Sequence, residues 1–456
     1  MSNRLGPATS ANPFSSAGED DRTSLDVAIE YAGHLDTWKL LVTSVTGGSF
    51  DKELQVVDLV QRRLRRLLDT PTRAFVLSLM HIEFYPQEGN DSRIVHLISK
   101  VMNILRDRPR MHIANIVIEL LAQKVCQGSL EDPATIRSIK RFVFASLGWT
   151  TGLYLPDLAS TDHIYAILNE GSTCFEKVSV DSEAENIPII TVIREFGSIL
   201  PTQTRWDIQY LPSFSISTAP NTGPNILHTA SLNIDTLSKV GKLRIDWIES
   251  LSSHLDFDTA HMDPITGTIT PVVKLFRYPS LCYQHSVKNS LIDGLLEDWY
   301  DEDSKPPKFT TKGLMQEILL SYNLLVLFDG RARKYFIDTT KNMSCLSDYD
   351  EELDRLCLGA PRNEIRRKFW FKPKGFRETF YATYDFPILS SRLSKIQGFI
   401  DSIQPNGIHS LWNDRRDMLR WYTFWAVLIL GSINIAVALL QAALTAEQVR
   451  LARVQG

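Results

Sequence analysis

Trp421-Tyr422-Thr423-Phe424-Trp425-Ala426-Val427-Leu428-Ile429-Leu430 runs on through Gly431-Ser432-Ile433-Asn434-Ile435-Ala436-Val437-Ala438-Leu439-Leu440 to Gln441-Ala442-Ala443-Leu444-Thr445-Ala446, without one Asp, Glu, Lys, Arg or His. As a helix this stretch would be roughly 39 Å long at 1.5 Å per residue, against a hydrocarbon core of about 30 Å. Trp421, Tyr422 and Trp425 crowd its first turns, where amphipathic rings favour the headgroup level. Arg415, Arg416 and Arg420 precede it, and Glu447, Arg450 and Arg453 follow. A buried core helix is the alternative, but such helices are shorter and seldom end in a charged tail. The segment therefore predicts one membrane-spanning helix, 421–446, between a juxtamembrane stretch 411–420 and a short tail 447–456.

Working outward, the rest of the chain is average. Of 456 residues, 44% are hydrophobic and 22% charged, which excludes wholesale disorder and collagen-like repeats. A net charge of −4 argues against a protein that coats nucleic acid, and no nucleic-acid partner is expected. The mean hydropathy of −0.10 is far below that of a polytopic transporter. Residues 1–24 are rich in Ser, Gly, Pro and Asp, with neither a signal-peptide core nor an acid-free amphipathic pattern, and are expected to form a disordered tail. With little chain after the span and no upstream signal, a tail-anchored topology with a cytosolic body is expected. An endoplasmic reticulum or other endomembrane location is favoured over the mitochondrial outer membrane. Five cysteines without C-x-x-C spacing read as reduced thiols, in keeping with the cytosol. The reverse orientation would expose two glycosylation sequons, at Asn90 and Asn342. Ser432/Ala436 and Ala438/Ala442 have small-xxx-small spacing, and Asn434 carries an amide into the span, so association into a homo-oligomer through this helix is a further expectation.

The body reads as mainly α with a small β-containing middle part, an α+β arrangement. Residues 25–150 are expected to form a helical lobe, with periodic apolar stretches near Asp51–Thr70, Ala74–Phe84, Ile94–Leu105, Ile113–Val125 and Ile136–Leu147. Arg62, Arg63, Arg65 and Arg66 point mostly away from the Val57/Val60/Leu64 stripe, which suggests a solvated basic face or, alternatively, contact with an anionic partner. Residues 151–301 form the mixed lobe, with β-like runs at Ile189–Ile193 and Trp206–Tyr210 and a helix expected at Thr236–His254. A hairpin is expected to join His254–Asp258 to Val272–Tyr278 across Asp263-Pro264-Ile265-Thr266-Gly267. Residues 302–410 return to helix, with a basic–aromatic loop between them.

Chemistry-bearing patterns are sparse: G-x-S-x-G, H-E-x-x-H, Walker A, G-x-G-x-x-G and the kinase set are all missing. No cofactor is implied. On a strand, His254, Asp256 and Asp258 would share one face, and with His261 and Asp263 nearby they form the one metal-like grouping. A structural role for these residues is the competing reading. Glu297–Asp303 reads as a solvated acidic loop or a dock for a basic partner. Arg362–Arg377 interleaves Arg366, Arg367, Lys368 and Lys372 with Phe369, Trp370 and Phe371. Near a membrane, each such cation is worth about 1 kcal/mol against an anionic surface; a loop with core-facing aromatics is the alternative.

Several stretches carry a resemblance: Val143–Trp149 with Tyr154, Ile245–Glu249, Leu275–Cys282, Glu317–Tyr322, Arg331–Phe336, and Leu411–Asp417 leading into Trp421–Val427. Across residues about 140–446 the chain resembles a large, widely duplicated group of uncharacterised filamentous-fungal proteins. The resemblance implies one C-terminal membrane helix and an α-rich cytosolic body of accessory character. By analogy alone it suggests a secondary-metabolite or hyphal-surface gene cluster. It implies no activity, and it favours a fold role for His254–Asp258. The leading expectation is thus a single-pass protein whose body binds a protein partner at the lipid bilayer; the alternative is a metal-dependent enzyme using the His254–Asp263 cluster.

Overall fold

The computed structural model describes residues 36–46, 53–81, 89–158, 164–167, 177–180, 189, 226–259, 267–286, 290–296, 310–359, 376–403 and 418–455. The fold is mainly α, with small sheets in the middle of the chain and one long apolar helix at its C-terminal end.

The first part is all helical: α1 (36–46), α2 (Glu53–Leu67), α3 (Thr70–Ser78), α4 (Asn90–Asp107), α5 (Ile113–Ala122) and α6 (Pro133–Thr151). Local signals set the boundaries. Asp69 caps α3 by accepting from Thr72 N, and Asp132 caps α6 by accepting from Ala134 N and Thr135 N, each with a proline in the first turn. α4 buries Ile94, Val95, Leu97, Ile98, Val101, Met102, Ile104 and Leu105, a stripe too wide for a surface helix. The C-terminal half of α6, Phe142 to Thr151, is buried throughout. There Gly148 permits a close approach: an added Cβ would lie 2.7 Å from Tyr154 Cε2 and 2.9 Å from Tyr154 O. Tyr154 folds back over the helix, stacks on Phe144 at 4.5 Å and donates its hydroxyl to Phe144 O at 2.8 Å. Gly148→Ala should therefore displace that ring and cost about 1–3 kcal/mol, read as a lower urea midpoint with an unchanged slope.

The middle part contains three small sheets. β1 (Leu155–Asp157), β2 (Ile164–Ile167) and β3 (Lys177–Val180) form an antiparallel meander. β4 (Ile226–His228) leads into two short helices, α7 (Thr229–Leu232) and α8 (Ile234–Lys239). β5 (Arg244–Ile248), β6 (Phe257–Asp258) and β7 (Val272–Phe276) make the central sheet, with β7 in the middle, parallel to β5 and antiparallel to β6. The two strands of the expected hairpin thus pair antiparallel, with Phe257 opposite Val273 and Asp258 opposite Val272, while residues 260–266 of its connection lie outside the described residues.

The helix expected over Thr236–His254 is corrected to a short helix and a strand. α8 ends at Lys239; an added Cβ on Gly241 would sit 2.6 Å from Leu237 O, and Lys242 takes φ 55°, turning the chain out of the helix. Arg244-Ile245-Asp246-Trp247-Ile248 then alternates in polarity and pairs along β7. Apolar residues on both sides of such a turn mimic a helical period. Of the β-like run Ile189–Ile193, only Ile189 is described, and it is buried and helical. Trp206–Tyr210 lies outside the described residues.

The last part of the body holds α9 (Pro279–His285), α10 (Leu291–Leu296), α11 (Thr311–Tyr322), α12 (Gly330–Thr339), α13 (Glu351–Leu358), β8 (Thr379–Tyr381), α14 (Ala382–Asp385) and α15 (Ser390–Ser402). β8 returns to pair with β4, Leu227 opposite Phe380. One continuous buried core runs from Trp38 to Ile400, so the lobes read from the sequence share a single interior.

Glu317 on α11 is part of the packing that holds α15. Its carboxylate accepts from Ile388 N and Leu389 N at 2.8–3.1 Å, just ahead of that helix. Burial pushes its pKa up to about 7, against the lowering effect of those two N–H groups. The folded chain therefore holds this proton more tightly than the unfolded chain. Its stabilising share is complete below the unfolded value of 4.5 and is lost as the pH rises through about 7. Relative to wild type, Glu317→Gln should gain stability over that window by up to about 3 kcal/mol, at about 1.4 kcal/mol per pH unit. Paired urea titrations at several pH values read this difference directly.

Candidate functional site

Two features stand apart from ordinary core: the C-terminal helix and a buried cluster of charges. The helix, α16, runs from Met418 to Gln455, and the most apolar 18-residue window within its Trp421–Leu451 stretch has a mean hydropathy of 2.2. None of its most apolar window is buried against the body. Val427, Leu430, Ile435, Leu439 and Leu440 are all well over 40% exposed, which in water would be a large unfavourable apolar surface. This is the chain's one described helix long and apolar enough to cross a membrane. Trp421 meets Tyr422 and Trp425 edge-on at 5.2 and 5.9 Å, forming an aromatic collar at the start of the apolar stretch. Ser432 Oγ donates to Leu428 O, and Thr445 Oγ1 to Gln441 O, so those hydroxyls are satisfied within the helix. The helix continues beyond the expected boundary at Ala446; Glu447 and Arg450 sit on it 3.6 Å apart. Arg415 and Arg416 lie outside the described residues.

The charge cluster corrects the reading of Arg62, Arg63, Arg65 and Arg66 as a solvated face. Only Arg65 and Arg66 are exposed to that degree, and Arg66 turns inward at its head. Arg63 is 2% exposed; its guanidinium donates to Trp149 O and lies over the Tyr278 ring at 5.4 Å. Arg62 donates to Ser347 O and Tyr349 O. Arg66 reaches Glu249 and, at 2.6 Å, the carboxylate of Asp348. Arg277 binds the same two acids at 2.8 and 3.0 Å. Tyr278 completes the group: its hydroxyl donates to Asp348 at 2.5 Å and accepts from both arginines. Asp348 is 1% exposed on its side chain. Burial alone would push its pKa up, but the Tyr278 hydroxyl, Arg277 and Arg66 together hold it below the ordinary carboxylate range. Burial opposes the charge of Arg66, but its bond to Glu249 and the negative neighbours more than compensate, so its pKa is raised.

The cluster thus joins α2, the end of β5, the segment after β7 and the approach to α13. Beside it, Asp350 accepts from Ser280 N and Oγ at 2.7 Å and from Glu352 N. Burial pushes Asp350 up to about 6 despite those donors. The recess between Arg277, Asp348, Tyr349, Leu346 and Met343 has no interior space for a water molecule. Chemically, the arginines, acids and Tyr278 hydroxyl bind mainly one another and so clamp remote segments together, although Arg277 Nε is buried without a hydrogen-bond partner. The sequence signal for it was slight, because Arg277-Tyr278 and Asp348 lie far from the arginine run and their pairing is set by tertiary structure.

The metal-like grouping is not assembled as expected. His254 is fully buried before the strand begins, and Leu255 at φ 63° breaks the alternation that would align it with Asp256 and Asp258. Its Nδ1 accepts from Phe276 N at 3.1 Å, and its Nε2 lies 2.8 Å from Ser321 Oγ, so both ring nitrogens are engaged. Burial, with Arg392 nearby, pushes its pKa down to about 3, keeping the ring neutral. Asp256 faces Arg392 at 3.2 Å. His261 and Asp263 lie outside the described residues; among the described ones no three His, Cys, Asp or Glu side chains gather as metal ligands. His254 is a core residue tying β7 to α11. The basic–aromatic candidates Arg366, Arg367, Lys368, Trp370 and Lys372, and the acidic run Glu297–Asp303, also lie outside the described residues. Asn90 and Asn342 are both exposed. Cys126, Cys282 and Cys357 are buried.

Comparison of the chain with protein-family models, with curated proteins and with solved structures gives no match.

Proposed function

We propose that this protein is a single-pass membrane protein whose α-rich body faces the cytosol and acts as an accessory or protein-interaction factor at that membrane. The observation that carries the reading is the unburied apolar helix Trp421–Leu451 beside a body whose described residues share a buried core of their own. Lipid is the solvent that removes the cost of such a surface. Three buried cysteine thiols support the cytosolic side. The accessory role, and a setting in a fungal secondary-metabolite or hyphal-surface cluster, rest on the resemblance in Val143–Val427 alone. A protein partner and self-association through Asn434 belong to the same proposal.

Orientation is tested by glycosylation. Both sequon asparagines are exposed on the body, so a luminal body would present them to the glycosylation machinery. Endoglycosidase H treatment of the full chain from a eukaryotic host is expected to leave its mobility unchanged. A shift abolished by Asn90→Gln and Asn342→Gln would place the body on the other side.

A further inference from the structure

Among the described residues of the body, the most exposed aromatic is Tyr384, at 83%. It does not stand alone. In the two-stranded sheet β4–β8 the inward residues Leu227 and Phe380 are buried, while Ile226 and Tyr381, opposite each other in register, face out at 40% and 49%. Phe376, just before β8, is 46% exposed and meets Phe328 only edge-on. Thr229 N donates to Glu378 O, and Thr229 Oγ1 to Arg377 O, which holds the Phe376 end of this segment against β4. Arg377 clamps Asp385 through two bonds of 3.0 Å and lies over Phe380 at 4.4 Å, so the outward rings sit on a braced support. The other exposed large apolar side chains among the described residues of the body, such as Ile118, Leu130 and Ile269, come from separate elements.

We infer that Ile226, Phe376, Tyr381 and Tyr384 form a second membrane contact, an interfacial patch that rests the body on the bilayer holding its own anchor helix; this rests on the membrane reading above. Continuity with the anchor favours lipid as the occupant. α15 is fastened along β4: Gln397 donates to Ile226 O at 3.0 Å and accepts from His228 N at 2.8 Å, while Ser231 donates to Asp401. From the end of α15 only residues 404–417 separate this sheet from α16. Even fully extended they reach about 50 Å, which bounds the separation between this sheet and the start of the inserted helix. Its chemistry is also interfacial: two tyrosines present apolar rings with polar tips, the composition that favours the headgroup level, beside the apolar Phe376 and Ile226. The sequence entering Phe376 carries Arg366, Arg367, Lys368, Lys372 and Lys374, which favours an anionic leaflet.

The test uses the full chain in phosphatidylcholine–phosphatidylserine vesicles, with an environment-sensitive fluorescent amino acid placed at one position at a time. Position 384 is the probe, Leu130 on the helical part is the water-exposed reference, and Ile435 reports the anchor. Quenching by headgroup-nitroxide lipid is expected to be several-fold stronger at 384 than at 130, with a blue-shifted emission, and Tyr381→Asp should reduce it. Equal quenching at 384 and 130, with Ile435 strongly quenched by acyl-chain nitroxide, would overturn the patch and leave the anchor standing. An unquenched probe at 435 would overturn the anchor and the patch with it. A blue shift at 384 that persists without lipid would assign the patch to protein contact instead and overturn the proposal.

Discussion

Asp348→Ala is expected to lower the stability of the body by about 3–5 kcal/mol, the range for breaking a buried ion pair by removing one partner. The carboxylate is the shared acceptor for Arg66, Arg277 and the Tyr278 hydroxyl. Its loss leaves Arg277, 11% exposed on its side chain, with Glu249 as its one remaining acidic partner in the cluster, and leaves a buried tyrosine hydroxyl without its acceptor. Asp348→Asn keeps the shape and one acceptor but not the charge, and should fall between wild type and alanine. Arg66→Ala should cost less, because that side chain is 37% exposed and screened by water. The double variant Arg66→Ala/Asp348→Ala should lose less than the sum of the single variants, since the two changes remove the same interaction. Urea unfolding of the detergent-solubilised chain supplies all the values; a wild-type-like Asp348→Ala would show that the cluster contributes little.

The second large effect is in the anchor. Leu430, Ile435 and Leu439 are all exposed on α16 and lie in its middle turns. An arginine at the centre of a spanning helix costs about 2.5–3.5 kcal/mol, and each substitution also forfeits a favourable apolar residue, so the triple change to Arg should disfavour insertion by roughly 8–12 kcal/mol. Position decides the effect as much as charge: three arginines near Ala446 could snorkel to the interface and should be tolerated. Membrane-inserted chain should be abundant for the wild type and for the end-placed control, and nearly absent for the central triple variant.

How much of this was legible beforehand follows from the range of the forces involved. The anchor depends on composition over a window, and Trp421–Ala446 announces itself without any tertiary information. Helices such as Asn90–Asp107 and Pro133–Thr151 are foreshadowed by the apolar-periodic stretches Ile94–Leu105 and Ile136–Leu147, because periodicity is a local signal. The Thr236–His254 segment misled because apolar residues spaced along a short helix, a turn and a strand imitate a longer helix, and the break lies in the backbone of Gly241 and Lys242. His254 looked like a ligand by spacing, yet both of its nitrogens are spent on Phe276 N and Ser321, partners that only the fold supplies. The arginine run of α2 was the deepest miss. Arg63 and Arg66 pair with groups more than eighty residues away in the chain, and no window of sequence can register that.

The central claim is that α16 holds the body to a lipid bilayer. It is tested most directly by alkaline carbonate extraction of membranes carrying the full chain, followed by flotation in a density gradient. The chain is expected to float with the lipid after extraction, as an integral protein does. Recovery of the intact, folded chain in the carbonate supernatant would contradict the account and return Trp421–Leu451 to the role of a helix awaiting a protein surface.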